Sequence, residues 1–318
     1  MTATLLHYLE NVRYNLRLDP SAEREIIAEL RAHVEDKFQE LRGMGLSEEE
    51  AVKACLKRLG SAKLIARQLY EAHSQGTWKQ VLMASTPHLL FALLFALSWW
   101  QGIPSLLIML VFIFSTAIYG WWHGKPVWLF PWLGCSLLPV IVAGLSLLYL
   151  PRGWSWVAIL LYIPLALWLI YSITIRTIKR DWLYGSLMLL PLPTIIAWIL
   201  VMEAANDFPA FHAQSINSLA PWIGQSFLAL AIAVAAFVRL RKRWLKIAVI
   251  VVTGLLSLGM VALYAEGQLG LVKMLVLLLL ILGMVIIPPL VEHLMKYRGK
   301  GKTAELEYIP MLTVSPEK

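Results

Sequence analysis

Hydrophobic and polar positions change their pattern at about residue 76. Before that point apolar residues recur at steps of three and four among charged ones, the period of a helix with one buried face. Leu5, Leu6, Leu9, Val12 and Leu16 form such a stripe and predict a helix over residues 4–16. Asp19 and Pro20 read as an N-cap followed by proline at the first helical position. Ile26, Ile27, Leu30, Val34, Phe38 and Leu41 then carry a second helix to about Arg42, ended by Gly43 and Gly45. Ser47 and Glu50 have the spacing of a capping box, in which hydroxyl and carboxylate each satisfy an orphan backbone amide. The third helix bears Val52, Cys55, Leu56 and Leu59 and is expected to stop at a left-handed Gly60. Ser61 restarts a fourth helix, with Leu64, Ile65 and Leu69 expected to face inward.

From residue 79 to 291 the pattern is one of long apolar runs. About 20 residues at 1.5 Å each cross a 30 Å hydrocarbon core. By that measure about eight spans are expected: 81–100, 104–121, 127–150, 154–175, 182–202, 222–238, 247–264 and 271–291. None has a charged residue at its middle, and tryptophans crowd the ends as an interfacial belt does. The fold class is therefore all-α, a small N-terminal helical bundle joined to a polytopic helical membrane domain. Residues 1–76 form the head, 79–291 the membrane domain and 292–318 a basic-to-polar tail, polar and mobile beyond 302. With charged, amphipathic residues at the front, the first span itself is expected to direct insertion.

Composition agrees: 59% of the 318 residues are hydrophobic and 15% charged, with a mean hydropathy of +0.67. Charge sharpens the picture. Residues 1–76 hold 11 Lys+Arg against 12 Asp+Glu, whereas the remainder holds 17 against 8. The slightly acidic head argues against nucleic acid as a partner, including a helix–turn–helix reading of its spacing. With the N-terminus inside, fourteen Lys and Arg fall on the inner side, from Lys79 to Lys302, and two, Arg152 and Lys273, on the outer. That bias predicts a cell-membrane protein with both termini cytoplasmic. The Lys296–Lys302 stretch also suits anionic headgroups.

The head carries three motifs in order: Ile26-Ile-Ala-Glu-Leu-Arg-Ala-His-Val-Glu-Asp36, Gly45-Leu-Ser-Glu-Glu-Glu-Ala51 and Leu59-Gly60-Ser61-Ala62. Together they resemble the HAAS signalling domain, also called the permease prefix domain. The matching positions include Glu29, His33, Glu35, Asp36, Ser47 and Glu49. The resemblance covers about 65 residues. It implies a cytoplasmic adaptor placed before membrane segments, often encoded beside PadR-like regulators or transporter permeases. The chain differs from the permease examples in having no large domain between its spans.

Candidate chemistry is sparse. Glu29, His33, Glu35, Asp36, Ser47 and Glu50 are candidates for binding a protein partner or for locking the bundle. A catalytic or metal role for His33 and Asp36 would need ligands that no other His or Cys of the head supplies. Cys55 and Cys135 stand apart, without metal spacing, and are expected to be buried thiols. His88 beside Pro87 lies within the first span. Glu203, Asp207 and His212 mark the longest outer loop, a weak metal pattern better read as solvated. Prolines 131, 139, 164, 191, 193, 288 and 289 interrupt spans, freeing carbonyls that line sites in some transporters or are re-satisfied by neighbours. No catalytic residue, cofactor or metal is expected. The reading is a non-enzymatic regulatory or sensory protein whose head meets a cytoplasmic partner. The alternative is a transporter subunit or regulator, and since the chain has no G-x-x-x-x-G-K-[ST] motif, any ATPase would sit on another chain.

Overall fold

A computed structural model describes residues 2–18, 20–147, 156, 158–204, 213–265 and 269–307. It is all-α, with no strand among the described residues. The head contains α1 (Ala3–Leu16), α2 (Pro20–Gly43), α3 (Glu48–Leu59) and α4 (Ala62–His73). Leu5 and Leu9 of α1 pack with Val34, Phe38 and Leu41 of α2 and with Ala51 and Cys55 of α3. A second small core joins Leu16, Leu18, Ile26 and Tyr70, where the C-terminal ends of α1 and α4 meet the start of α2. The capping box forms: Glu50 N–H donates to Ser47 Oγ, and Ser47 N–H donates to the Glu50 carboxylate at 3.0 Å. Two expectations change here. Leu64 is half exposed, and Ala66 and Tyr70 are the residues that α4 buries, one position round the helix. Gly60 has the expected positive φ of +80°, yet its ψ of −160° is extended rather than left-handed helical, so the chain turns straight into the Ser61 cap.

A second capping box, Thr77 with Gln80, starts α5 (Trp78–Ala96). There follow α6 (Ile103–Trp122), α7 (Leu129–Leu147), α8 (Ile163–Arg180), α9 (Trp182–Leu189), α10 (Pro191–Ala204), α11 (Ala213–Arg239), α12 (Arg243–Ala265) and α13 (Leu271–Glu307). Among the described residues seven segments are long and apolar enough to cross a membrane: α5, α6, Leu160–Lys179, α9 with α10, Ile216–Arg239, α12 and Leu271–Met295. Of the remaining expected span, 127–150, the apolar stretch Leu129–Gly144 lies within α7, and residues 148–150 fall outside the described residues. The helix that carries the last span runs on through the first part of the tail to Glu307. Its Lys, Ala, Glu and Leu residues after Met295 are good helix formers and extend it beyond the apolar run.

Burial divides the bundle into inner and outer helices. The α9–α10 segment has 67% of its apolar window buried, against 11% for Leu160–Lys179 and 17% for α6. Exposed Ile108, Val111 and Phe112 on α6 and Leu165, Leu167 and Trp168 on α8 form apolar faces suited to acyl chains. Close approach in the centre depends on a small residue: a Cβ at Gly134 of α7 would collide with the Met188 carbonyl oxygen of α9.

Proline-freed carbonyls find partners from neighbouring helices. Pro87 cannot donate to the carbonyl of Met83, and Trp132 Nε1 of α7 donates to that oxygen instead, at 2.7 Å. Pro288 likewise frees Met284, whose carbonyl accepts from Ser186 Oγ of α9 at 2.9 Å. In apolar surroundings these side chains replace the missing intrahelical bonds. Cys55 and Cys135 are both buried and unbonded to one another. Desolvation raises the Cys55 thiol, with Arg58 and Lys37 opposing it.

Candidate functional site: the junction of head and spans

The chain returns to the head's side of the bundle at 74–77, at Asp181, at 240–242 and at Glu292, as the contacts there show. The strap 74–77 is held to the end of α11: Gly76 N–H donates to Val238 O at 2.9 Å, and Ser74 Oγ donates to Arg241 O. Arg241 grips Gln75 Oε1 with two guanidinium N–H groups, at 2.9 and 2.6 Å. Arg239 lies over the Trp78 ring at 4.5 Å. A Cβ on Gly76 would overlap the Val238 side chain, so the strap fits flush against α11.

Deeper in lies an ionic network that joins the head to three membrane helices. Asp181, between α8 and α9, has 1% of its side chain exposed. Arg243, at the start of α12, meets it bidentately at 2.8 and 2.7 Å. Asp181 also caps α9 by accepting from Leu183 N–H, and Arg17 of the head stands 3.6 Å from it. The other Arg17 branch donates to Glu292 of α13 at 2.6 Å, and Trp182 N–H donates to the second Glu292 oxygen. Paired, fork-to-carboxylate geometry is what makes such burial tolerable.

Arg17 reaches these acids from an unusual backbone. It is the C-cap of α1, at φ 54° and ψ 38°, a left-handed conformation that a non-glycine residue adopts at a cost of about 1 kcal/mol or more. The turn ends α1 and sends the chain into α2 while leaving the guanidinium aimed at the spans. Beside it, Tyr70 of α4 accepts from Lys246 Nζ at 3.1 Å. Lys246 is buried and its ammonium lies 5.3 Å from the Tyr70 ring and 5.1 Å from the Phe237 ring, a cation–π enclosure. Burial, with Asp181 adding to it, pushes the Tyr70 hydroxyl up to about 12, so it stays a neutral phenol at physiological pH.

The candidate residues of the head lie away from this junction. Glu29, His33 and Asp36 are exposed along α2, with His33 Nε2 3.8 Å from Glu29. Glu35 is partly buried and accepts from Gln39, which holds its carboxyl below the usual range. Ser47 and Glu50 pair with each other at the start of α3 and are otherwise exposed. On the far side Glu203 pairs with Lys273 at 3.4 Å, tying α10 to α13, while Asp207 and His212 lie outside the described residues. Asp181 and Glu292 went unread in the sequence because orientation is counted in Lys and Arg alone. Their signal was available: two acids at span ends on the side where the cations gather.

Residues 7–68 match the model of the HAAS family. The match covers the four head helices almost from end to end and stops before the strap and the first span. No curated protein and no solved structure matches the chain.

Proposed function

We propose that this is a non-enzymatic regulatory or sensory protein of the cell membrane, whose cytoplasmic head binds a protein partner and shares its state with the spans. The HAAS match supports the regulatory class. The fourteen-to-two bias of Lys and Arg supports placing the head and both termini on the cytoplasmic side. One observation carries the coupling: Arg17, in a strained turn of the head, bonds Glu292 and approaches Asp181, acids that belong to membrane helices. A domain that merely trailed from the bundle would have no use for buried charge at that seam. The exposed Glu29–His33–Asp36 ridge of α2 leaves an acidic face for a partner with a basic patch.

The test is affinity capture with cross-linking from native membranes, comparing the full chain with the E29K/D36K variant and with a chain lacking residues 1–76. A defined cytoplasmic protein is expected with the full chain and lost with both changes. Capture of the same protein at undiminished yield by the headless chain overturns the reading.

A further inference from the structure

Between the head and the start of α12 lies a hollow of about 440 Å³, walled by the end of α1, by α4 and by the first turns of α12. Its lining mixes two chemistries. Four cations, Arg17, Lys63, Arg67 and Arg243, face it with a single acid, Glu71, and Leu16, Trp244 and Ile247 supply apolar surface. The cations are not equivalent. Arg17 and Arg243 are committed to Glu292 and Asp181. Arg67 shares Glu71 at 3.1 Å across an exposed pair, a weak attachment in water. Lys63 is exposed and has no ion-pair partner among the described residues. Trp244 is 61% exposed at the beginning of a span, the depth at which tryptophan meets lipid headgroups.

A concave site at headgroup level, with a surplus of positive charge and an aromatic–aliphatic surface in its lining, matches an amphiphile bearing a phosphate. We propose that this hollow binds the headgroup of an anionic phospholipid from the leaflet on the head's side. Lys63 and Arg67 hold the phosphate, and Trp244 and Ile247 lie along the glycerol and the first chain methylenes. A free phosphate would engage the same cations but leave the apolar surface unused. The assignment rests on the membrane-spanning helices and is independent of whether the head also meets a protein. Its consequence is regulatory: a lipid seated here touches α4 and α12 together, and so reports leaflet charge to the head.

The experiment uses the full chain in nanodiscs and native mass spectrometry of the lipids retained on release. Discs of phosphatidylglycerol mixed with phosphatidylcholine are compared for the wild type, for K63A/R67A, and for a tail variant with Lys296, Arg298, Lys300 and Lys302 changed to Gln. A positive charge near a lipid surface contributes about a fivefold preference, so loss of both cations is expected to lower phosphatidylglycerol retention about 30-fold. Phosphatidylcholine retention stays unchanged, and the tail variant keeps the tightly held lipid. Both head substitutions are at exposed positions, and an unchanged thermal midpoint shows that the fold is intact. Equal retention of the two lipids by the wild type overturns the proposal, as does undiminished retention by K63A/R67A. Loss of the lipid on adding millimolar inorganic phosphate at constant ionic strength overturns the lipid assignment in favour of a free anion.

Discussion

Asp181 has three claims on one carboxylate: two N–H groups of Arg243, the backbone amide of Leu183, and the nearby charge of Arg17. Removing its charge leaves a half-buried guanidinium without its partner, which costs about 3–5 kcal/mol where a buried pair is broken from one side. D181N is the informative change, because asparagine still caps a helix and only the charge is lost. The thermal midpoint of D181N in detergent is expected to fall sharply. The paired change D181L/R243M should recover most of the loss, since an apolar pair leaves no orphan charge. If D181N melts with the wild type, the pair contributes nothing to the seam. Glu50 offers a gentler case. Bonds from the Ser47 hydroxyl and amide hold its carboxyl below the ordinary carboxylate value near 4.3. Its contribution is therefore present above that value and disappears as pH falls through the lowered one. In E50Q, which keeps the cap, melting of the head between pH 5 and 3 should lose that part of its pH dependence. Ser47 and Glu50 were legible because a capping box is local in sequence. Arg17, Asp181 and Glu292 lie 164 and 275 positions apart, and nothing local links them.

The spans themselves were readable because apolar length is a property of contiguous sequence; their breaks and contacts were not. Proline 288 announced a freed carbonyl, Pro87 stood out only as the neighbour of His88, and only the fold shows which neighbours answer the two. Ser186 answers Met284, and that bond has a direct test. Interhelical hydrogen bonds in membranes average about 0.6 kcal/mol and reach about 1.7. The Met284 oxygen has no intrahelical amide to fall back on, so S186A should lie toward the upper figure. Restoring an N–H by P288A should then rescue S186A while changing the wild type less, because the helix would again satisfy its own carbonyl. Midpoints of the four proteins form a double-mutant cycle. Additive effects would show that Ser186 and Pro288 are not coupled. The α4 stripe was misread for a related reason: Leu64 and Ala66 lie two positions apart, and the larger side chain drew the inward assignment. Packing chose the alanine, since α1 presents the large residues Leu5, Leu9, Val12 and Leu16, and Tyr70 fills the space beside Leu16 at the end.

At the scale of the whole molecule the head is held to the spans by a strap and a salt-bridge network. The strap uses the Gly76 amide, the Ser74 hydroxyl and Gln75, and fits only because Gly76 has no side chain against Val238. The network concentrates its force in Arg17, which pays for a left-handed backbone with bonds to acids of other helices. R17A should therefore loosen the head without unfolding either part. It relieves no φ strain, since alanine is no freer than arginine in that region, and it deletes both ion pairs. Hydrogen exchange of α1 and α4 amides is expected to quicken while that of α9 and α11 stays as it was. The reversed pair R17E/E292R distinguishes geometry from charge: it restores an attraction with the opposite polarity across the seam, though Asp181 now faces a like charge and recovery should be partial. If R17A leaves α1 and α4 as protected as before, the strap and the Lys246–Tyr70 contact dock the head without Arg17, and a signal passing between head and membrane would travel through residues 74–77 and the end of α11 or through α4 and α12. That outcome would leave the HAAS domain in place but shift its main attachment from Arg17 to Gly76, where the absence of a side chain against Val238 is the feature that a bulkier residue would break.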